Sequence, residues 1–399
     1  MPATSFLTAH AAAPDWSSAV AQCIEQLRPA VAAHARLRHP VAFTLGWCYF
    51  TDYFAPDAEQ LLGALQQAFP GTHWIGSVGV GVAATGVEHF DEPALAVMLA
   101  PLPPRDFRLF SGRQPLRAHA HDTAHPTDFT AHTALVHADA TTPDLQDLLR
   151  ELAERTETGY LFGGLSVARN RSVQIADEVF SGGLSGVAFS ERVHIVSRVT
   201  QGCRPVGPMR TITRAEDNIV VALDGRPALE CVFDDLRLDG DMPVEDLAEA
   251  LSETLVGLRT REDDMPGTPG RFGPDTVVRH IVGIDPGARV LAVANEVCDD
   301  MRLTLCERNA DAAMADLLRI ASEIRDTLAE SELEPVGGVL VSCSGRGGPH
   351  FGHPNAELDA LRQVLGELPL VGFYAGGEIA RDRLYGYTAV LSVFAQPRA

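Results

Sequence analysis

The stretch Val336–Ala380, VGGVLVSCSGRGGPHFGHPNAELDALRQVLGELPLVGFYAGGEIA, decides how the chain is read. Its apolar run Val339-Leu340-Val341 is short, β-branched and bounded by glycines, which marks a buried strand. A glycine-rich loop follows, Gly345-Arg346-Gly347-Gly348, carrying His350 and His353. Asn355 is a plausible N-cap for a helix whose apolar stripe is Leu358, Leu361, Val364 and Leu365. A second strand, Leu370 to Phe373, breaks at Ala375-Gly376-Gly377 before Glu378. Two strand ends and a helix start thus converge around one thiol (Cys343), one guanidinium (Arg346) and one carboxylate (Glu378). Strand ends of this kind are where ligand sites are commonly built.

Outward from this stretch the same order of elements recurs. Ser17 to Leu37 has apolar residues at helical spacing, and a strand is expected at Val41–Leu45. An aromatic loop, a helix over Asp57–Phe69, a strand Trp74-Ile75-Gly76, a glycine run and a strand Ala94–Leu99 follow. Cys48 precedes Gly76 by 28 residues, and Cys343 precedes Gly372 by 29. A third, weaker copy runs from Thr133–Val136 through a helix at Pro143–Arg155 to Tyr160–Gly164. Self-similarity of this kind implies at least two related halves.

Residues 104–131 read as a long loop, and 174–199 as a meander of short strands. A β ribbon turning at Asp224-Gly225 spans Met209–Cys231. Next come a helix at Val244–Leu255, an acidic Pro/Gly insertion at Thr260–Pro274, two strands (Val277–Val282, Val290–Ala294) and a helix at Asp311–Leu328. The expected fold class is α+β, two related halves with mixed, largely antiparallel sheets flanked by helices.

Composition removes several functions. The chain has 399 residues, enough for two domains, and a formal charge of −21, which disfavours nucleic acid and anionic membrane surfaces. All 32 basic residues are arginine, so Schiff-base, pyridoxal-phosphate and Walker-A lysine chemistry are excluded. This bias also suggests a GC-rich bacterial source. The seven cysteines form no CxxC pair and are expected as free thiols without structural zinc. Residues 1–14 read as a flexible leader without signal-peptide character, and no apolar run reaches membrane-spanning length, so a cytoplasmic protein is expected.

Several motifs together resemble the FIST family: Ser342–Gly347 (SCSGRG), Pro369–Ile379 (PLVGFYAGGEI) and the Thr388 region in the C-terminal half. Ile75–Gly86, Gly163–Ser166, Gln201–Gly207 and Leu223–Leu229 carry the resemblance in the N-terminal half. It implies a FIST N-terminal domain at 15–208 and a FIST C-terminal domain at 209–399. It also implies an intracellular sensory protein that binds a small molecule, with amino acids as proposed ligands. Its signal would pass to a partner such as a histidine kinase, a cyclase or a chemotaxis receptor, and a homodimer is compatible. Some relatives bind haem and sense nitric oxide. Where many relatives carry Gly-Pro and then Leu-His, this chain has Ala380-Arg381 and Leu384-Tyr385, which weakens transfer of any ligand held by that histidine.

The expected ligand-binding set is Arg346, Glu378, Cys343, Gly345, Gly347, Gly376, Gly377, Tyr374 and Tyr385. Arg346 would take a ligand carboxylate and Glu378 an ammonium; the competing reading is that the two bridge each other. The glycines offer backbone N–H groups to an anion. Cys343 with His350 or His353 is the alternative nucleophile–base pair of a thiol hydrolase, although no orienting Asn or Asp is identifiable. His119, His121 and His125 have a spacing compatible with a metal, but loop histidines are more often solvated. For haem, the axial candidates are His350, His353, Cys203, Tyr385 and His73, and c-type attachment is excluded.

Overall fold

A computed structural model of the chain describes residues 6–398 except 37–41, 118–128, 201, 240–241, 244–246, 248–250, 252–253 and 261–275. It divides into two compact units. One comprises Met1–Val199, Leu317–Leu384 and Thr388–Ala399; the other comprises Thr200–Asp316 with Tyr385–Tyr387. The fold is α+β, with helices flanking mixed and antiparallel sheets.

The first unit is built from three modules of one plan. The first module runs β1 (Leu7–Ala12), α1 (Trp16–His34), β2 (Leu45–Thr51), α2 (Ala58–Ala68), β3 (His73–Gly79), the hairpin β4 (Gly81–Ala84) and β5 (Val87–Phe90), and β6 (Ala94–Ala100). The second runs β7 (Phe107–Ser111), β8 (Thr133–Asp139), α3 (Leu145–Glu154), β9 (Leu161–Ser166), the hairpin β10 (Gln174–Ala176) and β11 (Val179–Phe180), and β12 (Leu184–Phe189). The third opens with β13 (His194–Val199). Its remaining elements lie beyond the second unit.

That second unit holds β14 (Cys203–Pro205), β15 (Arg210–Glu216), β16 (Ile219–Leu223), β17 (Arg226–Pro227), α4 (Ala228–Leu236), β18 (Thr254–Arg259), β19 (Val277–Asp285), β20 (Val290–Val293) and β21 (Arg302–Arg308). The third module then resumes with α5 (Ala310–Glu330), β22 (Leu333–Cys343), α6 (Ala356–Leu365), β23 (Leu370–Ala375), the hairpin β24 (Glu378–Ala380) and β25 (Arg383–Tyr385), and β26 (Ala389–Pro397).

Each module contributes a parallel pair joined by a helix: β2/β3, β8/β9 and β22/β23. These strands are buried, so they read as continuous apolar runs instead of alternating ones. The helices bury one apolar face, Leu61/Leu62/Leu65 in α2 and Leu145/Leu149/Leu152 in α3. Each module's first and last strands pair with each other. The outer edge of each sheet, however, is filled by a hairpin from a different module. The orders are β1-β6-β2-β3-β10-β11, β7-β12-β8-β9-β24-β25 and β13-β26-β22-β23-β4-β5. The exchange is cyclic: module one gives to three, three to two, and two to one.

One glycine recurs at the same place in all three. Gly76 sits opposite Cys48, Gly163 opposite Val136 and Gly372 opposite Leu340. A Cβ at any of them would fall within 1.9 Å of the facing carbonyl oxygen, which no side chain tolerates. This register corrects the repeat alignment made from the sequence: Gly372 aligns with Gly76, but Cys48 then matches Leu340, and Cys343 matches Thr51. The weak third copy carries the same parallel pair, connecting helix and hairpin.

The three sheets face a common core. Trp47 packs against Phe394, and Phe394 against Phe189, each with ring centroids 5.4 Å apart. Nearby, Tyr49 stacks on Phe373 at 5.0 Å and shares a 3.1 Å hydrogen bond with His137 Nε2. His137 is wholly enclosed, and burial pulls its pKa down to about 3.

The inserted unit is a closed antiparallel barrel. β18 pairs with both β19 and β21, so β21-β15-β16-β20-β19-β18 joins end to end and leaves no open edge among these strands. Ile212, Val220, Val256, Leu291 and Leu305 fill it, and α4 packs Leu229 and Val232 on this core.

Several expectations change. Leu7–Ala12, expected within a flexible leader, is an edge strand paired to β6. The supposed loop after residue 104 contains strand β7. The meander at 174–199 is split among three sheets, because its strands serve different modules. The ribbon expected to reach Cys231 ends earlier, and its last residues form α4. Most of the helix expected at 244–255 and of the 260–274 insertion lies outside the described residues, as do His119, His121 and His125; Thr254–Leu255 begins β18.

Candidate functional site

The C-terminal end of the third module's parallel pair gathers most of the expected site residues. β22 ends at Cys343, and a 3-10 turn over Ser344–Arg346 carries Arg346 back into the protein. A second short turn, Gly348–Phe351, leads to Asn355 and α6. Gly347 is required by close packing: a Cβ there would meet the Phe90 ring at 2.2 Å.

Arg346 is 2% exposed, and its partner is Glu357 in the first turn of α6. Nη2 and Nε donate to Glu357 Oε1 at 2.7 and 3.1 Å, and Ser342 Oγ donates to Oε2 at 2.8 Å. Buried ion pairs of this kind persist only when the remaining lone pairs are satisfied, as they are here. Phe351 packs against the guanidinium, 5.3 Å from its ring centroid. Nothing local marks Glu357 as this partner, since an acidic residue in a first helical turn is ordinary. Beside this pair, Tyr374 donates to Glu88 Oε2 at 2.5 Å. Asn355, whose side chain makes no helix cap, instead accepts from the Glu88 backbone N–H at 2.8 Å.

Glu378, on β24, is fully buried. Its Oε2 accepts from the Thr388 N–H at 3.1 Å and from Thr388 Oγ1 at 2.7 Å. Thr388 is fixed in turn because its carbonyl accepts from the Cys343 N–H at 3.0 Å. Among the described residues, Glu378 Oε1 is the one carboxylate oxygen buried without a hydrogen-bond partner. Burial raises the Glu378 pKa to about 8, against the opposing pull of Thr388, the Arg346 charge and the adjacent Cys343 thiol. A carboxyl so placed holds its proton at neutral pH and ionises readily if a cation arrives.

Of the glycines, Gly377 is buried and Gly376 is exposed in the turn before Glu378. Tyr385 is buried and belongs to the barrel unit. His353 is exposed, with Nδ1 3.1 Å from the Pro354 carbonyl. His350 packs edge-on against Phe351. His73 is half exposed and pairs with Asp177 at 2.7 Å. Cys203 lies in the barrel beside Cys306. One surface pocket is lined by Thr85, Leu361 and Leu370 and another by Phe110, Arg113 and Glu178.

The chain belongs to the FIST family. The FIST N domain matches residues 44–226 and the FIST C domain residues 228–381. The break between the two matches falls inside the inserted barrel, at the start of α4. Domains of this family are small-ligand sensory domains, not catalytic ones. An uncharacterized protein of Mycobacterium tuberculosis strain H37Rv is 31% identical over 402 residues, covering 96% of this chain and 97% of that one. An uncharacterized protein of Mycobacterium bovis is 28% identical over 392 residues, covering 96% of each. No helix among the described residues is long and apolar enough to cross a membrane.

Proposed function

We propose that this protein is a small-molecule sensor whose ligand engages the third module through an ammonium group at Glu378, and that it signals through a partner protein such as a histidine kinase or cyclase. The observation that supports the reading is the buried Glu378 carboxyl with one oxygen unpartnered. An amino acid supplies the required ammonium. Arg346 is held by Glu357, so it positions the turn and reaches a ligand carboxylate only if that pair opens. Cys343 then acts as a small buried neighbour of the acid and not as a nucleophile.

Calorimetry with a panel of free amino acids tests this at pH 7 in two buffers of different ionisation enthalpy. Because Glu378 is mainly protonated there, binding of an ammonium should release close to one proton per ligand. Glu378→Gln should abolish the release and weaken binding at least about tenfold, the loss of a charge-assisted contact. Unchanged affinity in the variant would assign the ligand elsewhere.

A further inference from the structure

The inserted barrel is bracketed by two cysteines that touch. Cys203 lies on β14 near the start of the insertion, and Cys306 on β21 near its end. The strands are antiparallel, with Cys203 opposite Arg308 and Pro205 opposite Cys306. The two cysteines are therefore diagonal neighbours on one face of the ladder, and they pack into one buried cluster. With Leu255 and Val278 they form a small cluster separate from the main barrel core, covered by Tyr387. Cys203 is 5% exposed and Cys306 is fully enclosed. The unit's other thiols are placed differently: Cys231 donates to the Leu223 carbonyl at 3.6 Å, and Cys298 is exposed. Every strand from β15 to β20, and α4, lies between Cys203 and Cys306 in sequence.

We propose that Cys203 and Cys306 are a redox modification site, forming a reversible disulfide that ties off the neck of the barrel when the chain meets a small disulfide oxidant. The Cys203 thiolate attacks one sulfur of the oxidant, breaking its S–S bond and releasing one small thiolate. The Cys306 thiolate then attacks Cys203 Sγ, forms the internal S–S bond and expels the second small thiolate. Two protein thiols lose two electrons and two protons, and the oxidant gains both. Cys203 is nearly enclosed and Cys306 wholly so, which limits access of the oxidant and slows the first step, so the site answers to sustained oxidation and not to brief exposure. In a reducing compartment such bridges are transient and regulatory, which fits a pair buried as thiols in the reduced protein. This inference is independent of the ligand assigned to Glu378.

The test incubates the full-length protein with excess oxidised glutathione at pH 8, quenches with acid, and alkylates in guanidinium. Intact mass and non-reducing peptide maps are then read. The expected result is two fewer alkylated thiols out of seven, excluding glutathione adducts at Cys298, and a peptide pair joining Cys203 to Cys306. Dithiothreitol should return both. The Cys298→Ala variant, which removes the exposed thiol, should form the same bridge, and the oxidised protein should show a raised melting midpoint. The proposal is overturned if Cys203 and Cys306 both stay alkylatable, if either is recovered with a different cysteine, or if Cys203 ends as a stable glutathione adduct.

Discussion

Replacing Glu378 by Gln keeps the shape and the acceptor that Thr388 binds, and removes only the ability to ionise. In the folded protein this carboxyl titrates near pH 8 and not near its ordinary 4.5. The folded state therefore holds more protons than the unfolded chain between about pH 4.5 and 8, and stability falls as pH rises through that window. At ~1.4 kcal/mol per pH unit the whole span is about 5 kcal/mol, of which about 3 has been lost by pH 7. His137 works in the opposite direction. Its depressed pKa removes stability as pH falls from 6.5 towards 3. The two slopes oppose each other between about pH 4.5 and 6.5, so the wild-type profile should be flat there and fall above it. All three tryptophans, Trp16, Trp47 and Trp74, lie in the unit that contains Glu378. Urea titrations followed by tryptophan fluorescence from pH 4.5 to 8.5 therefore report on this unit. The His137 contribution cancels in the difference between the two proteins. The Gln variant should gain on the wild type steadily with pH, by a few kcal/mol at pH 8. Parallel profiles across the range would show that Glu378 is ionised in the folded protein and would remove the basis of the proposed site.

Two further perturbations follow from the geometry. Arg346→Ala strands Glu357 as a buried charge and should cost about 3–5 kcal/mol by urea denaturation; a loss below 1 kcal/mol would mean the pair is solvated. Gly372→Ala places a methyl 1.9 Å from the Leu340 carbonyl and should cost at least about 3 kcal/mol, the upper end of overpacking. Gly63→Ala, in α2 with nothing within 4 Å, should instead stabilise by about 0.5–1 kcal/mol in the same assay.

The parallel pairs and their helices were legible because buried β-branched runs and leucine stripes are local signals. The glycine turns were legible too, although spacing alone misaligned Cys343 with Cys48, since the register depends on a facing strand that no local pattern reveals. Leu7–Ala12 carries no local strand signal, because an edge strand of small residues has little hydrophobic contrast. The barrel was hidden, as closure depends on β18 meeting β21 across more than forty intervening residues. At the site, Arg346, Cys343 and Glu378 stood out by residue type and loop context. Glu357, which holds Arg346, and Glu88, which accepts from Tyr374, did not, because such pairings are tertiary facts.

The cyclic exchange of hairpins sets a timetable for synthesis. The first sheet lacks its edge until β10 and β11 emerge, and the second until β24 and β25, close to the C-terminus. The hairpin that completes the third sheet is made among the first hundred residues and must wait for its place. None of the three modules can finish alone on the ribosome. The barrel, whose paired strands lie within one continuous stretch, is free to close earlier. A truncation before Glu378 should therefore leave β9 of the second sheet as an exposed edge and the growing chain in need of protection from aggregation.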